Sequence, residues 1–250
     1  MADRADETIE QFKLTTAYDI STCVHEDEID LGITTLADLA FSRDGMKLFI
    51  YDQNVGAGAQ YTVEQFSLTS PYNLTNATLV ATYTGPNGSI RTNIQQFAQA
   101  MVFNIDGTKM YITGISANKI RQFNLSTAFD VSSGGGGAAE ATCNLTFAHH
   151  PAGSDNQSDM MNMKFNPDGT KFFILDTRHD VKTRERVDTY TLSTAYDIST
   201  CTFESTQEFG GGRERRAIDF SNDALKASQK GFKKLMTACL LYTSPSPRDS

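Results

Sequence analysis

The chain has 250 residues, 39% hydrophobic and 21% charged, a composition ordinary for a globular protein. Its formal net charge of −8 offers no electrostatic footprint for nucleic acid or for an anionic membrane surface. No apolar run approaches the ~20 residues of a membrane helix, and the acidic opening MADRADETIE lacks the apolar centre of a secretory signal.

The first distinctive element in chain order is QFKLTTAYDISTC, Gln11 to Cys23, and it returns almost unchanged as TYTLSTAYDISTC, Thr189 to Cys201. Weaker copies lie between them, QFSLTSPYNLTNA from Gln65 and QFNLSTAFDVSS from Gln122. A second element alternates with the first: LAFSRDGMKLFIYD from Leu39, MVFNIDGTKMYITG from Met101 and MKFNPDGTKFFILD from Met163. A fading copy, IDFSNDALK, begins at Ile218, with Ala224 in place of the turn glycine.

Each second element predicts a strand, a tight turn and a strand. Ser42, Asn104 and Asn166 open the turn with side chains suited to accept from the backbone two residues on. Pro167 brings a fixed φ, and Gly45, Gly107 and Gly169 supply the positive φ that returns the chain to its partner strand. Asp44, Asp106 and Asp168 precede those glycines in every copy, which predicts structural turn residues rather than catalytic ones. The first element supplies two more strands. Phe12/Leu14, Phe66/Leu68, Phe123/Leu125 and Tyr190/Leu192 share one face, while Ile9, Val63, Ile120 and Val187 fall on the other. A sheet apolar on both faces belongs between two others.

Four-stranded antiparallel units in series, with no helical period between them, predict an all-β chain of β-propeller blades, about four of them present. A β-sandwich would not repeat one hairpin three or four times. The expected units are a partial blade of outer strands at 1–33 and full blades at 34–92, 93–155 and 156–210. A partial or degenerate blade follows at 211–238. In the tail 239–250, CLLYTSPSPRD (Cys239 to Asp249) resembles a transposase-based sequencing adapter translated in one frame. Its two prolines and lack of alternation do not continue a blade. The expectation is therefore a fragment of a larger propeller.

The pairing of F-x-x-D-G-T-K with L-S-T-A-[YF]-D-[IV]-S resembles the repeats of the WD40-like and YVTN-like propeller superfamily over roughly residues 8–226. Close versions occur in uncharacterised proteins of marine and environmental bacteria and their phages. The resemblance implies a non-enzymatic binding or structural module on an extracellular or virion surface, with a protein or glycan partner and no cofactor. The alternative it leaves is a lactonase-like propeller hydrolase with a metal in the central channel.

Three residues before each anchor phenylalanine stand Asp38, Ala100, Asn162 and Ala217. Asp38 and Asn162 are the candidates for sharing a cation or polar ligand in the channel, and the plainer reading is a solvated channel wall. The two alanines argue against an enzyme's full set of oxygens, so no metal site is assigned. In AHHPAGSDNQSD, His149, His150, Asp155 and Asp159 suggest metal, but adjacent histidines in an extended segment point opposite ways. HEDEID from His25 reads as a solvated edge or loop, and RHDVKTRER, Arg178 to Arg186, as a solvated basic hairpin tip, with contact to an anionic glycan or partner as the alternative. SSGGGG from Ser132 leads into a strand rather than a helix, so it is no phosphate loop. Cys23, Cys143 and Cys201 each follow the TAYDIST element or its counterpart. Treated as repeat-equivalent, they are expected to stand a blade apart, beyond the ~7 Å disulfide limit, as free thiols.

Overall fold

The computed structural model describes residues 2–3, 8–16, 19–32, 35–53, 61–85, 98–114, 119–134, 139–145, 160–177, 184–210, 215–220 and 227–231. The first sheet holds β1 (Ala2–Asp3), β2 (Thr8–Leu14) and β3 (Cys23–Asp30). Three four-stranded antiparallel meanders follow. They are β4 (Leu36–Phe41), β5 (Lys47–Gln53), β6 (Tyr61–Ser67) and β7 (Thr78–Tyr83); β8 (Ala98–Phe103), β9 (Lys109–Gly114), β10 (Lys119–Asn124) and β11 (Ala141–Asn144); and β12 (Met160–Phe165), β13 (Lys171–Thr177), β14 (Arg184–Leu192) and β15 (Cys201–Gly210). The hairpin β16 (Arg215–Phe220) and β17 (Ala227–Gly231) forms the last sheet. The first strands of successive sheets, β4, β8, β12 and β16, run side by side.

The two apolar faces of each strand go to different neighbours. Phe66, Leu68, Leu48 and Ile50 pack with Ile9 against the first sheet, whereas Val63, Phe49 and Tyr51 pack with Met110, Phe123 and Leu125 of the third. The pattern repeats one sheet on: Tyr111 and Ile120 meet Phe172, Ile174 and Tyr190. Each fully buried aromatic or aliphatic side chain contributes ~1.5–3 kcal/mol, so these inter-sheet layers dominate the stability.

The repeated polar residues serve the stacking. Gln11 Oε1 accepts from Leu74 N at 2.9 Å, Gln65 Oε1 from Val131 N at 2.9 Å, and Gln122 Oε1 from Ile198 N at 3.2 Å. Each glutamine thus reaches from its own sheet to the next. The turn lysines do the same, Lys47 Nζ donating to Phe129 O at 2.7 Å and Lys109 Nζ to Tyr196 O at 2.9 Å. A neutral bond of this kind is worth ~1 kcal/mol and a charged one ~1.5–3. In the fourth copy the pattern changes: Thr189 stands where the glutamine would be, and Lys171 pairs with Glu204 of its own sheet at 2.7 Å.

The turns differ from expectation in one detail. Ser42 Oγ, Asn104 Oδ1 and Asn166 Oδ1 accept from the backbone five residues on, at Lys47, Lys109 and Lys171, and so close the hairpin. The bond from two residues on goes to the aspartate, with Asp106 Oδ1 accepting from Thr108 N at 3.0 Å and Thr108 Oγ1 at 2.6 Å. Hydroxyl bonds, from Ser42 to Asp44, Thr108 to Asp106 and Thr170 to Asp168, and after them the backbone bonds hold the Asp44, Asp106 and Asp168 carboxyls below the usual range. The turn glycines carry φ of +69°, +72° and +69°, and the aromatic ring of the same sheet's TAYD segment lies directly on each.

The cysteine expectation is corrected. Cys143 and Cys201 form a disulfide with Cα atoms 6.0 Å apart. Cys201 lies opposite Leu192 and Cys23 opposite Leu14, but Cys143 lies opposite Ile120, well along its strand. The residue that answers Cys201 in the third sheet is Gly134, bridged to Leu125. The insertion after Gly134 shifts Cys143 to a non-equivalent place, and that shift brings it within reach of the next sheet.

Candidate functional site

The first strand of each of the last four sheets is irregular at one point. The register shifts between Leu36 and Asp38, Ala98 and Ala100, Met160 and Asn162, and Arg215 and Ala217. A bulge re-aims the side chain that follows it. Asp38 Oδ2 accepts from Met101 N of the neighbouring strand at 2.8 Å, and Oδ1 from Leu39 N at 2.9 Å. Burial pushes its carboxyl up to about 6, against the two backbone bonds and Lys164, which lower it. Asn162 Oδ1 is buried and has no hydrogen-bond partner among the described residues.

Asp38 and Asn162 line one cleft of about 430 Å³ along the inner strands, together with Lys164, Arg43 and Asn104. Met101, Met163, Phe103 and Phe129 supply its apolar wall. Lys164 and Arg43 escaped the sequence reading, although Lys164 follows Asn162 by two and so shares its strand face. The side chain of Ala217 lies outside the described residues.

The raised Asp38 value gives a prediction with a definite sign. Burial favours the protonated form, so this group's stabilisation is present below pH ~4 and is lost as pH rises through about 6. Asp38→Asn keeps an acceptor and removes the charge. One of the two backbone bonds is lost to the amide NH2 at both pH values, so the melting temperature relative to the unsubstituted protein is expected to be higher at pH 8 than at pH 4. The ceiling is ~3 kcal/mol, reduced by the group's partial exposure. Thermal melts of both proteins at the two pH values check this; a difference between them that does not change with pH contradicts it.

Other sequence candidates are distributed elsewhere. His149, His150, Asp155 and Asp159, residues 178–183 and the tail 239–250 lie outside the described residues. Among the described residues no three His, Cys, Asp or Glu side chains cluster as metal ligands. HEDEID forms most of β3, where Asp27 Oδ2 accepts from Thr75 Oγ1 at 2.5 Å. Arg186 is not part of a solvated basic tip. It is 3% exposed on β14, with Nη2 donating to Asp176 Oδ2 at 2.6 Å and Nε 3.4 Å from Asp188 Oδ2. The residue alternation that would have revealed this, buried Val187 beside an inward Arg186, is masked in sequence by the run of charges around it.

The antiparallel meanders sort the connections by end. The D-G turns and TAYD segments share one end of the sheets. Connections 54–60, 115–118 and 178–183, and the links between sheets, depart from the other. They differ in length and sequence, and most of their residues lie outside the described ones. Among the described residues no helix is long and apolar enough to cross a membrane.

No protein-family model matches the sequence, and no curated protein matches it. Solved structures do. A protein assigned as a 6-phosphogluconolactonase of Bacteroides fragilis superposes with a TM-score of 0.51 at 13% identity, covering 90% of this chain and 58% of its own. A Lactobacillus plantarum protein gives 0.54 at 13%, covering 89% and 57%. Hydrazine synthase of Kuenenia stuttgartiensis gives 0.52 at 11%, covering 84% and 47%. The chain thus spans little more than half the length of the first two. At these identities the likeness is one of fold, and with the meanders and their inner row of first strands it makes this an all-β chain of β-propeller blades.

Proposed function

We propose that the chain is a binding module that recognises a protein or glycan through the connections at the end of the sheets away from the D-G turns. The observation that supports this most is the division of labour between the two ends. At one end the repeated polar side chains bond within the scaffold, as Asp106, Asn104 and Lys109 do. At the other, every connection is different, as recognition loops on a fixed framework are.

A second reading, a channel hydrolase of lactonase type, draws on the cleft holding Asp38 and Asn162 and on the likeness to the Bacteroides fragilis protein. The two readings separate experimentally. Connection 178–183 is replaced by a Gly-Ser segment of equal length, and binding to arrayed glycans and proteins is measured beside the melting temperature. Lost array binding with an unchanged melt supports the module. Lactone hydrolysis that depends on a divalent metal and disappears in Asp38→Ala overturns it.

A further inference from the structure

We infer that the outer edge of the second sheet, strand β7, takes an extended segment of a partner protein as an added strand, one that carries aliphatic and basic side chains. This edge is separate from the connections invoked above, so the site stands whether or not they recognise anything.

β7 is the last strand of its sheet, so among the described residues one row of its backbone N–H and C=O groups has no strand beside it. An added strand supplies those partners. Thr78 to Tyr83 contains no charged residue, glycine or proline, and its threonines, valine and tyrosine favour extended backbone. Four large hydrophobic side chains are exposed among the described residues, and two of them adjoin here, Leu79 at 50% and Val80 at 53%.

The other sheets show how this repeat guards the same edge. In the first, second and fourth sheets the outer strand bulges by one residue, which makes Glu26, Val80 and Glu204 the extra residues. Glu140 holds the matching place in the third sheet, just before Ala141, which lies opposite Gln122. The three glutamates are exposed, and each is tied to its own sheet, Glu26 to Gln11, Glu140 to Asn124 and Glu204 to Lys171. A charge held on an edge opposes pairing with another strand, because pairing would strip its water. Val80 reverses this in one sheet, exposing apolar surface that an added strand would cover.

Charge selects the occupant. β3 of the first sheet lies beside the entry to β7, with Asp27 accepting from Thr75, and its Glu28 and Asp30 are exposed. A second copy would bring its own acidic strand to this edge, in a chain of net charge −8, and like charges oppose that pairing. Lysine or arginine side chains on the added strand meet the carboxylates instead, while its aliphatic side chains cover Leu79 and Val80.

The test uses the full chain and a fluorescein-labelled peptide of alternating valine pairs and lysine pairs, which puts both residue types on each face of a strand. Titration followed by fluorescence anisotropy is expected to give a Kd near ~100 μM, the scale of a weak, transient contact. Val80→Glu, which installs the residue of the other three sheets, is expected to weaken binding at least ~10-fold. The sign is informative, since the added negative charge would strengthen any unspecific attraction to lysine. The same peptide N-methylated on its backbone, and one with glutamates in place of lysines, are expected not to bind. A melt checks that the variant folds, and Leu79→Thr serves if it does not. No binding, equal binding to the folded variant, or equal binding of either control peptide overturns the proposal. So does a dimer in size-exclusion chromatography that Val80→Glu dissolves, which would assign the edge to a second copy.

Discussion

Reducing the Cys143–Cys201 disulfide is expected to lower the unfolding free energy by ~4 kcal/mol, the chain-entropy value for a loop of this length. The bond closes a segment with a sequence separation of 58 and joins the outer strand of the third sheet to that of the fourth. In the reduced unfolded chain that loop is free, so the cost of ordering it returns. Cys143 is fully buried in the layer between the two sheets, beside Tyr190 and Ile198. Its thiol has no room to move away, and the folded state changes little. A drop of that size corresponds to ~10 °C in the melt of a chain of this length. Melts with and without a phosphine reductant, and the same melts on Cys143→Ser, check it. A proteolytic digest of the unreduced protein should yield the linked Cys143 and Cys201 peptides. If those peptides are recovered separately and the reductant leaves the melt unmoved, the assignment is wrong.

Gly107→Ala is expected to cost about 3 kcal/mol, from two effects of comparable size. A left-handed backbone at φ +72° disfavours any Cβ, and the added methyl would lie 2.2 Å from a ring carbon of Phe129. Phe129 cannot swing aside freely: its own φ is +52°, its N donates to Gly107 O at 2.8 Å, and its ring packs on Phe103. Gly32→Ala separates the contributions, because its φ is +68° with nothing within 4 Å of the added atom. That variant should lose only ~1 kcal/mol, the backbone share. In a double-mutant cycle, Phe129→Ala should relieve most of the extra loss at Gly107. Equal losses at Gly32 and Gly107 would mean that the ring contact carries no weight.

The two elements that made the fold legible did so because they are local. A strand alternating Phe and Leu on one face with Val or Ile on the other predicts its own burial, and D-G marks its own turn. Phe66 and Val63 do face opposite neighbours, and Gly45 does take a positive φ. Equivalence in the repeat also places Asp38 and Asn162 at the same point of their inner strands, β4 and β12, with β8 between them.

What depends on neighbouring sheets was not readable. The glutamine at 11, 65 and 122 looks like an ordinary strand residue, yet its partner is the backbone of the next sheet, more than sixty residues away in all three cases. The aromatic of TAYD looks like a turn residue, and only the folded chain lays it on the glycine. Cys143 looked equivalent to Cys201 because both follow the same motif. Pairing through Leu125 and Gly134 shows that register, not order in the sequence, decides which residues correspond. Lys164 and Arg43 acquire meaning only when three inner strands and a turn close a cleft around them. Sequence determined this protein's strands, turns and repeat, because each follows from side chains within a few residues of one another. The tertiary structure alone decided the clasps, the disulfide and the cleft, because each joins groups that only the stacking of sheets brings within bonding distance.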